Sequence, residues 1–291
     1  MGQVWKQGFR ACDIVRVKKH NVQVKSANDR GLILRSDATV QADAWFVCPR
    51  PNPQAALRLF CFPYAGGGVS IFHGWPNLLP PTVEVYSVQL PGRGRRLMEK
   101  PFDRMPDLVE AVSKAILPHL DKPFAFFGHS LGAIISFEVS RRLKKEHRRE
   151  PEHLFVSGSG APQTSRSGRA LHNLPDSKFI KGLRELDGTP REILENTELM
   201  RLLLPTLRAD FAVSETYVYE PAPPLDCPIT AFGGLQDREV NRKRLESWRS
   251  QTRASFSLQM FAGDHFFLHD ARPLLQALTA KLESIRPALE V

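Results

Sequence analysis

A serine between two glycines stands where an apolar run meets a segment of helical periodicity. Residues 128–132, GHSLG, have the pattern G-x-S-x-G and follow the apolar residues 124–127. The pattern predicts a sharp strand-to-helix turn that exposes the Ser130 hydroxyl, because only small residues fit two positions before and after the serine. The helix that begins here would direct its positive end and unpaired N–H groups at Ser130. We therefore interpret Ser130 as a nucleophile rather than as part of a chance Gly-Ser turn.

Such a serine needs a base, and the base needs an orienting group. In this kind of strand-to-helix site the chain order is Ser, then Asp or Glu, then His. His265 follows the last apolar run of the chain and Asp237 follows the run before it. Asp264 is a rival for the acid, but its adjacency to His265 makes a bond to Nδ1 difficult. Asp237 could also cap a helix from Arg238, and the two roles are compatible.

The chain has nine histidines, most of which we interpret as surface residues. His129 flanks the candidate nucleophile, and its side chain is expected to point away from the base. His269 is expected to lie within the segment that follows His265. Position along the chain therefore singles out His265 alone as the base.

A glycine-rich loop, residues 60–70 with the sequence FCFPYAGGGVS, follows the first apolar run of the main body. Its spacing fits neither a Walker loop nor a dinucleotide-binding loop. In the fold that carries G-x-S-x-G, the loop after an early strand supplies one oxyanion donor, and the residue after the serine supplies the other. The N–H groups of Ala65 and Leu131 are thus the candidate oxyanion hole, with Tyr64 expected to hold the loop in place.

Short apolar runs alternate with segments of helical periodicity from residue 57 onward. Runs without in/out alternation are typical of strands buried on both faces, and alternation of strands with helices predicts a mostly parallel sheet covered on both sides. The predicted strands are 57–65, 83–90, 124–128, 154–158, 229–233 and 256–261, and the predicted helices are 105–120, 131–145, 241–251 and 273–285. Ligands of such a sheet bind at the carboxyl ends of its strands.

One interval is too long for an ordinary crossover, with about seventy residues between the strands at 154–158 and 229–233. Asp176 is a plausible N-cap for a helix to residue 186, Thr189 and Glu192 fit a capping box, and residues 199–211 have helical spacing. The pattern predicts a helical insertion over about 162–222, which could be a lid or an additional packing layer. The main domain is expected over 44–291. Residues 1–43 are polar and basic, and the sequence leaves open a hairpin, a loose extension or a start-site artefact.

Composition excludes several classes of protein. The 291 residues are 42% hydrophobic, with a net charge of +9. This balance suits an acidic partner, but no zinc-finger, RNP-like or basic-zipper pattern predicts nucleic-acid binding. No apolar run has the length of a membrane span, and the four cysteines form no CxxC pair. We expect a cytoplasmic monomer that needs no cofactor or metal ion.

With these residues assembled, the chain from about residue 44 to 289 resembles the type II thioesterases, stand-alone α/β-hydrolase enzymes of polyketide, non-ribosomal peptide and fatty acid synthases. The resemblance is carried by LFCFPYAGGG at 59–68, VQLPGRGRR at 88–96, PFAFFGHSLGA at 123–133, LRADF at 207–211, AFGGLQD at 231–237 and GDHFFL at 263–268.

The resemblance implies an α/β-hydrolase fold with an inserted helical lid that lines an acyl pocket. It also implies hydrolysis of acyl thioesters on the phosphopantetheine arm of an acyl or peptidyl carrier protein, with removal of aberrant acyl groups or release of product. A general carboxylesterase or lipase with the same triad, and a non-catalytic binding protein of the same fold, remain alternatives.

Overall fold

The structure is a computed structural model that describes residues 44–164, 170–186 and 188–285. Seven strands and seven α-helices follow one another along these residues. The strands are β1 Phe46–Val47, β2 Leu57–Phe62, β3 Val83–Val88, β4 Phe124–His129, β5 His153–Ser157, β6 Ile229–Gly234 and β7 Phe256–Phe261. The helices are α1 Met105–Ile116, α2 Leu131–His147, α3 Asp176–Leu186, α4 Arg191–Leu194, α5 Thr197–Glu215, α6 Arg242–Glu246 and α7 Ala271–Ile285. The predicted extension, residues 1–43, lies outside the described residues.

The strands form one sheet in the order β1-β3-β2-β4-β5-β6-β7. Strands β2 to β7 are parallel, and only β1 runs antiparallel, pairing with β3. The predicted mostly parallel α/β sheet is therefore confirmed. β1 was not predicted, because a strand of two residues carries no readable periodicity.

Alternate residues of each central strand face opposite layers of helices, as the pleat requires. In β2, Phe60 and Phe62 belong to an apolar cluster with residues of α1 and α2, whereas Leu59 and Cys61 belong to a second cluster with residues of α7. All six residues of β2 are buried. The continuous apolar runs in the sequence thus arise from strands covered on both faces.

The insertion between β5 and β6 contains α3, α4 and α5. It has its own small apolar cluster, formed by Phe179, Leu183, Leu194, Met200 and Leu207. The α-helices over 176–186 and 199–211 were predicted, but two details were wrong. Asp176 is the first residue of α3 and accepts from Arg208 Nη2 at 2.5 Å, and α4 is a single turn that starts after Pro190 without a side-chain cap from Thr189.

A third difference concerns Asp237. Its Oδ1 accepts from the N–H groups of Glu239 and Val240, at 2.8 and 3.0 Å, so the carboxylate does close a turn. The helix begins only at Arg242, where Asn241 is the N-cap. Asp237 is therefore held rigidly by its own loop without capping a helix from Arg238.

Candidate active site

Ser130 lies on a tight turn between β4 and α2. Its φ is +54° and its ψ is −115°, a conformation that L-residues rarely adopt and that costs on the order of 1–3 kcal/mol. The Ser130 N–H donates to the carbonyl of Ser157 at 2.8 Å, which ties the turn to β5. A Cβ at Gly132 would lie 2.2 Å from the Phe62 carbonyl oxygen, and one at Gly128 would lie 2.2 Å from the Gly132 carbonyl oxygen. The two glycines flanking Ser130 thus allow the close packing that this turn requires.

His265 and Asp237 meet at the carboxyl edge of the sheet. Nδ1 of His265 lies 2.8 Å from Oδ2 of Asp237, and the Asp237 side chain is fully buried. Asp264 instead accepts from the Phe266 N–H through its Oδ1. Asp237 therefore holds the position that orients His265, and the neighbouring aspartate shapes the histidine loop.

The electrostatics of this pair favour a charged imidazole. Burial opposes the protonated form of His265, which is only 7% exposed, but the hydrogen bond to Asp237 and the charge of Glu239 outweigh burial and raise its pKa. Burial likewise opposes the charged form of Asp237, yet its hydrogen bond with His265 lowers its pKa. A carboxylate held ionised beside Nδ1 keeps the tautomer in which Nε2 is the free acceptor.

The side chain of His129 was predicted to point away from the candidate base, and this prediction is wrong because it lies against His265. Its ring centre lies 5.2 Å from that of His265, and its Nδ1 is 2.9 Å from the Ser157 Oγ. Burial, together with the nearby His265 and His269, holds the pKa of His129 well below its usual value. The His129 imidazole, on the residue just before Ser130, therefore packs against the ring of His265.

The glycine-rich loop forms a tight turn over Tyr64–Gly67. The Gly67 N–H donates to the Tyr64 carbonyl at 2.8 Å, and Gly66 has a φ of +77°. Tyr64 is held in turn by a contact of 3.3 Å between its hydroxyl and Nε2 of His269. Within the part of the chain that the structure describes, the N–H groups of Ala65 and Leu131 donate to no protein acceptor. The two unpaired donors therefore lie in the glycine-rich turn and at the first residue of α2, directly after Ser130.

The insertion contacts the loops on both sides of the site. Gly188 lies against the ring of Phe266, the residue after His265, where a Cβ would be 2.5 Å from Cζ. At the other side, the Thr206 hydroxyl of α5 donates to the Gly92 carbonyl at 2.7 Å, and Leu207 packs directly on Gly66. The insertion thus lies over the candidate site, in the place where a lid would be found.

Sequence reasoning missed a buried group that joins these loops, Arg93 with Asp210. Both residues occur in motifs that carried the resemblance, LPGRG and LRADF, but no local signal assigned them a role. Glu239, whose charge acts on His265, was also missed.

The comparisons with known proteins agree with this geometry. A sequence model of the thioesterase domain matches residues 57–284. The chain belongs to the thioesterase family. The gramicidin S biosynthesis protein GrsT of Aneurinibacillus migulanus is 49% identical over 232 residues, which cover 80% of this chain and 91% of GrsT.

Solved structures extend the comparison to the fold. The thioesterase RedJ from the prodiginine pathway of Streptomyces coelicolor matches with a TM-score of 0.74 and 42% identity, covering 80% of this chain and 96% of RedJ. The type II thioesterase BorB from the borrelidin cluster matches with a TM-score of 0.75 and 37% identity, covering 82% of this chain and 97% of BorB. This thioesterase is thus a type II enzyme of the α/β-hydrolase fold that hydrolyses thioesters in biosynthesis, as the resemblance implied. No helix in the described part of the thioesterase is both long and apolar enough to cross a bilayer.

Proposed function

We propose that this thioesterase removes acyl groups from the phosphopantetheine arm of a carrier protein, with Ser130 as nucleophile, His265 as base and Asp237 as orienter. The observation that carries the assignment is the buried hydrogen bond between Asp237 and His265. The imidazole of His265 also packs on His129, the residue preceding Ser130. The strained turn at Ser130 supports it, because strain of this kind is kept where function requires it.

In the proposed reaction, Ser130 Oγ attacks the thioester carbonyl carbon while Nε2 of His265 takes the hydroxyl proton. The carbonyl oxygen becomes an oxyanion, which the N–H groups of Ala65 and Leu131 would stabilise. The carbon–sulfur bond then breaks, and His265 returns the proton to the leaving pantetheine thiolate. Water, activated by the same imidazole, hydrolyses the acyl-enzyme and regenerates Ser130.

The carrier-bound substrate and the editing role rest on relatives rather than on the site itself. GrsT, RedJ and BorB are named for gramicidin S, prodiginine and borrelidin biosynthesis. We propose that the thioesterase, as a monomer, clears aberrant acyl groups from a synthase of this kind. The net charge of +9 supports an acidic carrier domain as the partner.

The Ser130→Ala variant tests the catalytic assignment. We expect loss of thioester hydrolysis by about 10⁴-fold or more with an unchanged melting temperature, since the serine is the covalent nucleophile. A fluorophosphonate should label the wild-type protein at Ser130 and leave the variant unlabelled. Undiminished hydrolysis by the variant would overturn the assignment.

A substrate panel tests the substrate class. Rates are compared on one acyl group presented as an acyl carrier protein, as acyl-pantetheine and as an oxygen ester. We expect the carrier-bound thioester to have the highest kcat/KM. A preference for the oxygen ester would favour a general carboxylesterase instead.

A further inference from the structure

Asp210 of α5 is buried next to the proposed oxyanion loop, 3% exposed. Its Oδ2 accepts from the Gly66 N–H at 2.6 Å and from Arg93 Nη1 at 2.8 Å, while Oδ1 accepts from Arg93 Nη2 at 2.7 Å. Arg93 also donates from Nη1 to the Gly67 carbonyl at 2.9 Å. The ion pair therefore holds both an N–H and a C=O of the glycine-rich turn.

These bonds act on the backbone on each side of Ala65. The peptide unit that contains the Ala65 N–H is held by the bond from Gly67 N–H to the Tyr64 carbonyl, and the next peptide unit is held through Gly66 N–H by Asp210. Each peptide unit is planar, so fixing one of its polar groups fixes the direction of the other. In a four-residue turn the central peptide can otherwise adopt either of two orientations, as in type I and type II turns.

Stability alone is a weak explanation for this pair. Burying two charges costs free energy that their attraction only partly returns, so a buried ion pair is poor grounds for inferring stabilisation. What the pair does supply is a fixed geometry, since a bidentate Arg–carboxylate contact restricts both side chains. The group whose position it restricts is the turn beside Ser130.

We infer that Asp210 is a positioning residue for the oxyanion hole, and that it couples helix α5 of the insertion to the turn that carries the Ala65 N–H, by fixing the peptide unit that follows Ala65. The inference rests on the proposed function. Helix α5 has two further contacts with the loops that contain Arg93 and Gly66. The Thr206 hydroxyl donates to the Gly92 carbonyl, and Leu207 packs on Gly66. A displacement of α5 would then reach the oxyanion hole through Asp210.

The Asp210→Asn variant tests this role. The amide cannot accept from Gly66 and pair with the Arg93 charge as the carboxylate does, so the turn loses its restraint. We expect kcat on an acyl-pantetheine thioester to fall by about 10- to 100-fold, with little change in KM, as for a displaced transition-state contact. The affinity for an alkyl trifluoromethyl ketone, whose adduct with Ser130 places an oxyanion in the hole, should fall by a similar factor. The pH midpoint of kcat/KM should stay unchanged, because the Asp237–His265 pair is untouched.

Glu84→Gln is the matched control. Glu84 is 4% exposed, and like Asp210 it accepts from a backbone N–H, that of Asn52 at 2.8 Å, and from an arginine, Arg58 at 2.9 Å. It lies near the amino ends of the strands, away from Ser130. The control should lose thermal stability comparably, while kcat and the affinity for the ketone stay at wild-type values.

A second variant keeps the test possible if Asp210→Asn does not fold. If Asp210→Asn leaves the Arg93 charge buried without a partner and does not fold, the double variant Arg93→Gln with Asp210→Asn removes both charges, and the same losses are expected. Wild-type kcat and ketone affinity in a folded variant, or a fall in kcat with no fall in ketone affinity, would overturn the inference. Full activity of Ser130→Ala would instead overturn the proposed function, so the two failures are distinguishable.

Discussion

The sheet has an amino edge, where its parallel strands begin, and a carboxyl edge, where they end, and similar chemical groups at the two edges have different surroundings. Each has a buried arginine–carboxylate pair, Arg58 with Glu84 at the amino edge and Arg93 with Asp210 at the carboxyl edge. The backbone differs much more. Apart from Arg148, the described residues with positive φ all lie in loops after the carboxyl ends of strands, namely Gly66, Gly92, Gly94, Ser130, Gly158 and Gly263. Residues with positive φ are therefore concentrated at the edge that carries the candidate site, whereas the ion pair at the amino edge joins two ordinary strand residues, Arg58 of β2 and Glu84 of β3.

The largest difference between the edges should follow from their acidic residues. Asp237→Asn is expected to lower kcat by about 10⁴-fold, because the amide oxygen would stay with the Glu239 and Val240 N–H groups and turn the NH₂ toward Nδ1 of His265. An NH₂ donor at Nδ1 favours the tautomer of His265 that carries its proton on Nε2, and in that tautomer Nε2 cannot accept the proton of the Ser130 hydroxyl. The measurement is kcat on an acyl-pantetheine thioester.

The pH profile gives a second measure of the same variant. In the wild type, kcat/KM should rise with pH through a midpoint above the usual histidine value, since His265 must be neutral to accept a proton and its pKa is raised. In the variant, residual activity should have a lower midpoint, because the bond and charge of Asp237 are lost. A kcat for Asp237→Asn near that of Glu84→Gln would remove the distinction between the two edges.

A smaller effect should separate two glycines of one loop. Gly66→Ala places a side chain at φ +77° with its Cβ 2.5 Å from Cδ2 of Leu207, at a conformational cost of about 1–2 kcal/mol. Gly68 has a φ of −137° and nothing within 4 Å of a Cβ, so Gly68→Ala should change the free energy of unfolding by only about 0.5 kcal/mol. Denaturant unfolding and kcat should both distinguish the pair, and equal values would show that the turn is not under the restraint described.

The last prediction concerns acid stability at the amino edge, where no effect on kcat at neutral pH is expected. His153 is the first residue of β5, and burial lowers its pKa to about 3. The unfolded chain binds the proton near pH 6.5, so the contribution of this group to stability is lost as pH falls from there toward 3. His153→Leu removes the titrating group and should therefore flatten the fall in melting temperature over this range. Thr230, whose hydroxyl lies 2.8 Å from Nε2 of His153, is not left unpaired by this change, because it keeps its bond to Ser257 at 2.8 Å. An unchanged acid limb would place the acid sensitivity at other groups, such as His129.

The sequence was sufficient to predict the elements whose signal is local. Runs rich in apolar residues marked β2 to β7, and the glycines at 128 and 132 marked the turn at Ser130, because burial of the central strands on both faces and close backbone packing each require particular residue types. The pairing of Asp237 with Nδ1 of His265 followed from chain order.

What could not be predicted depends on contacts between distant residues. Gly66 and Asp210 are 144 positions apart, and nothing in either segment indicates that one binds the other. The orientation of His129 toward His265 and Ser157 is likewise decided by how β4, β5 and the histidine loop pack together. Two residues were too few to reveal β1, and the capping box at Thr189 was wrong because α4 starts one residue later, after Pro190.

The separate apolar cluster of the insertion has a consequence for engineering. Because Phe179, Leu183, Leu194 and Met200 belong to an apolar cluster separate from those of the sheet, we expect that this unit can be exchanged for that of another thioesterase without rebuilding the sheet beneath it. The exchange has one condition, since the donor segment must bring a carboxylate that reaches the Gly66 N–H. On the inference about Asp210, we expect a graft that lacks this carboxylate to lose turnover even where its own apolar cluster packs correctly.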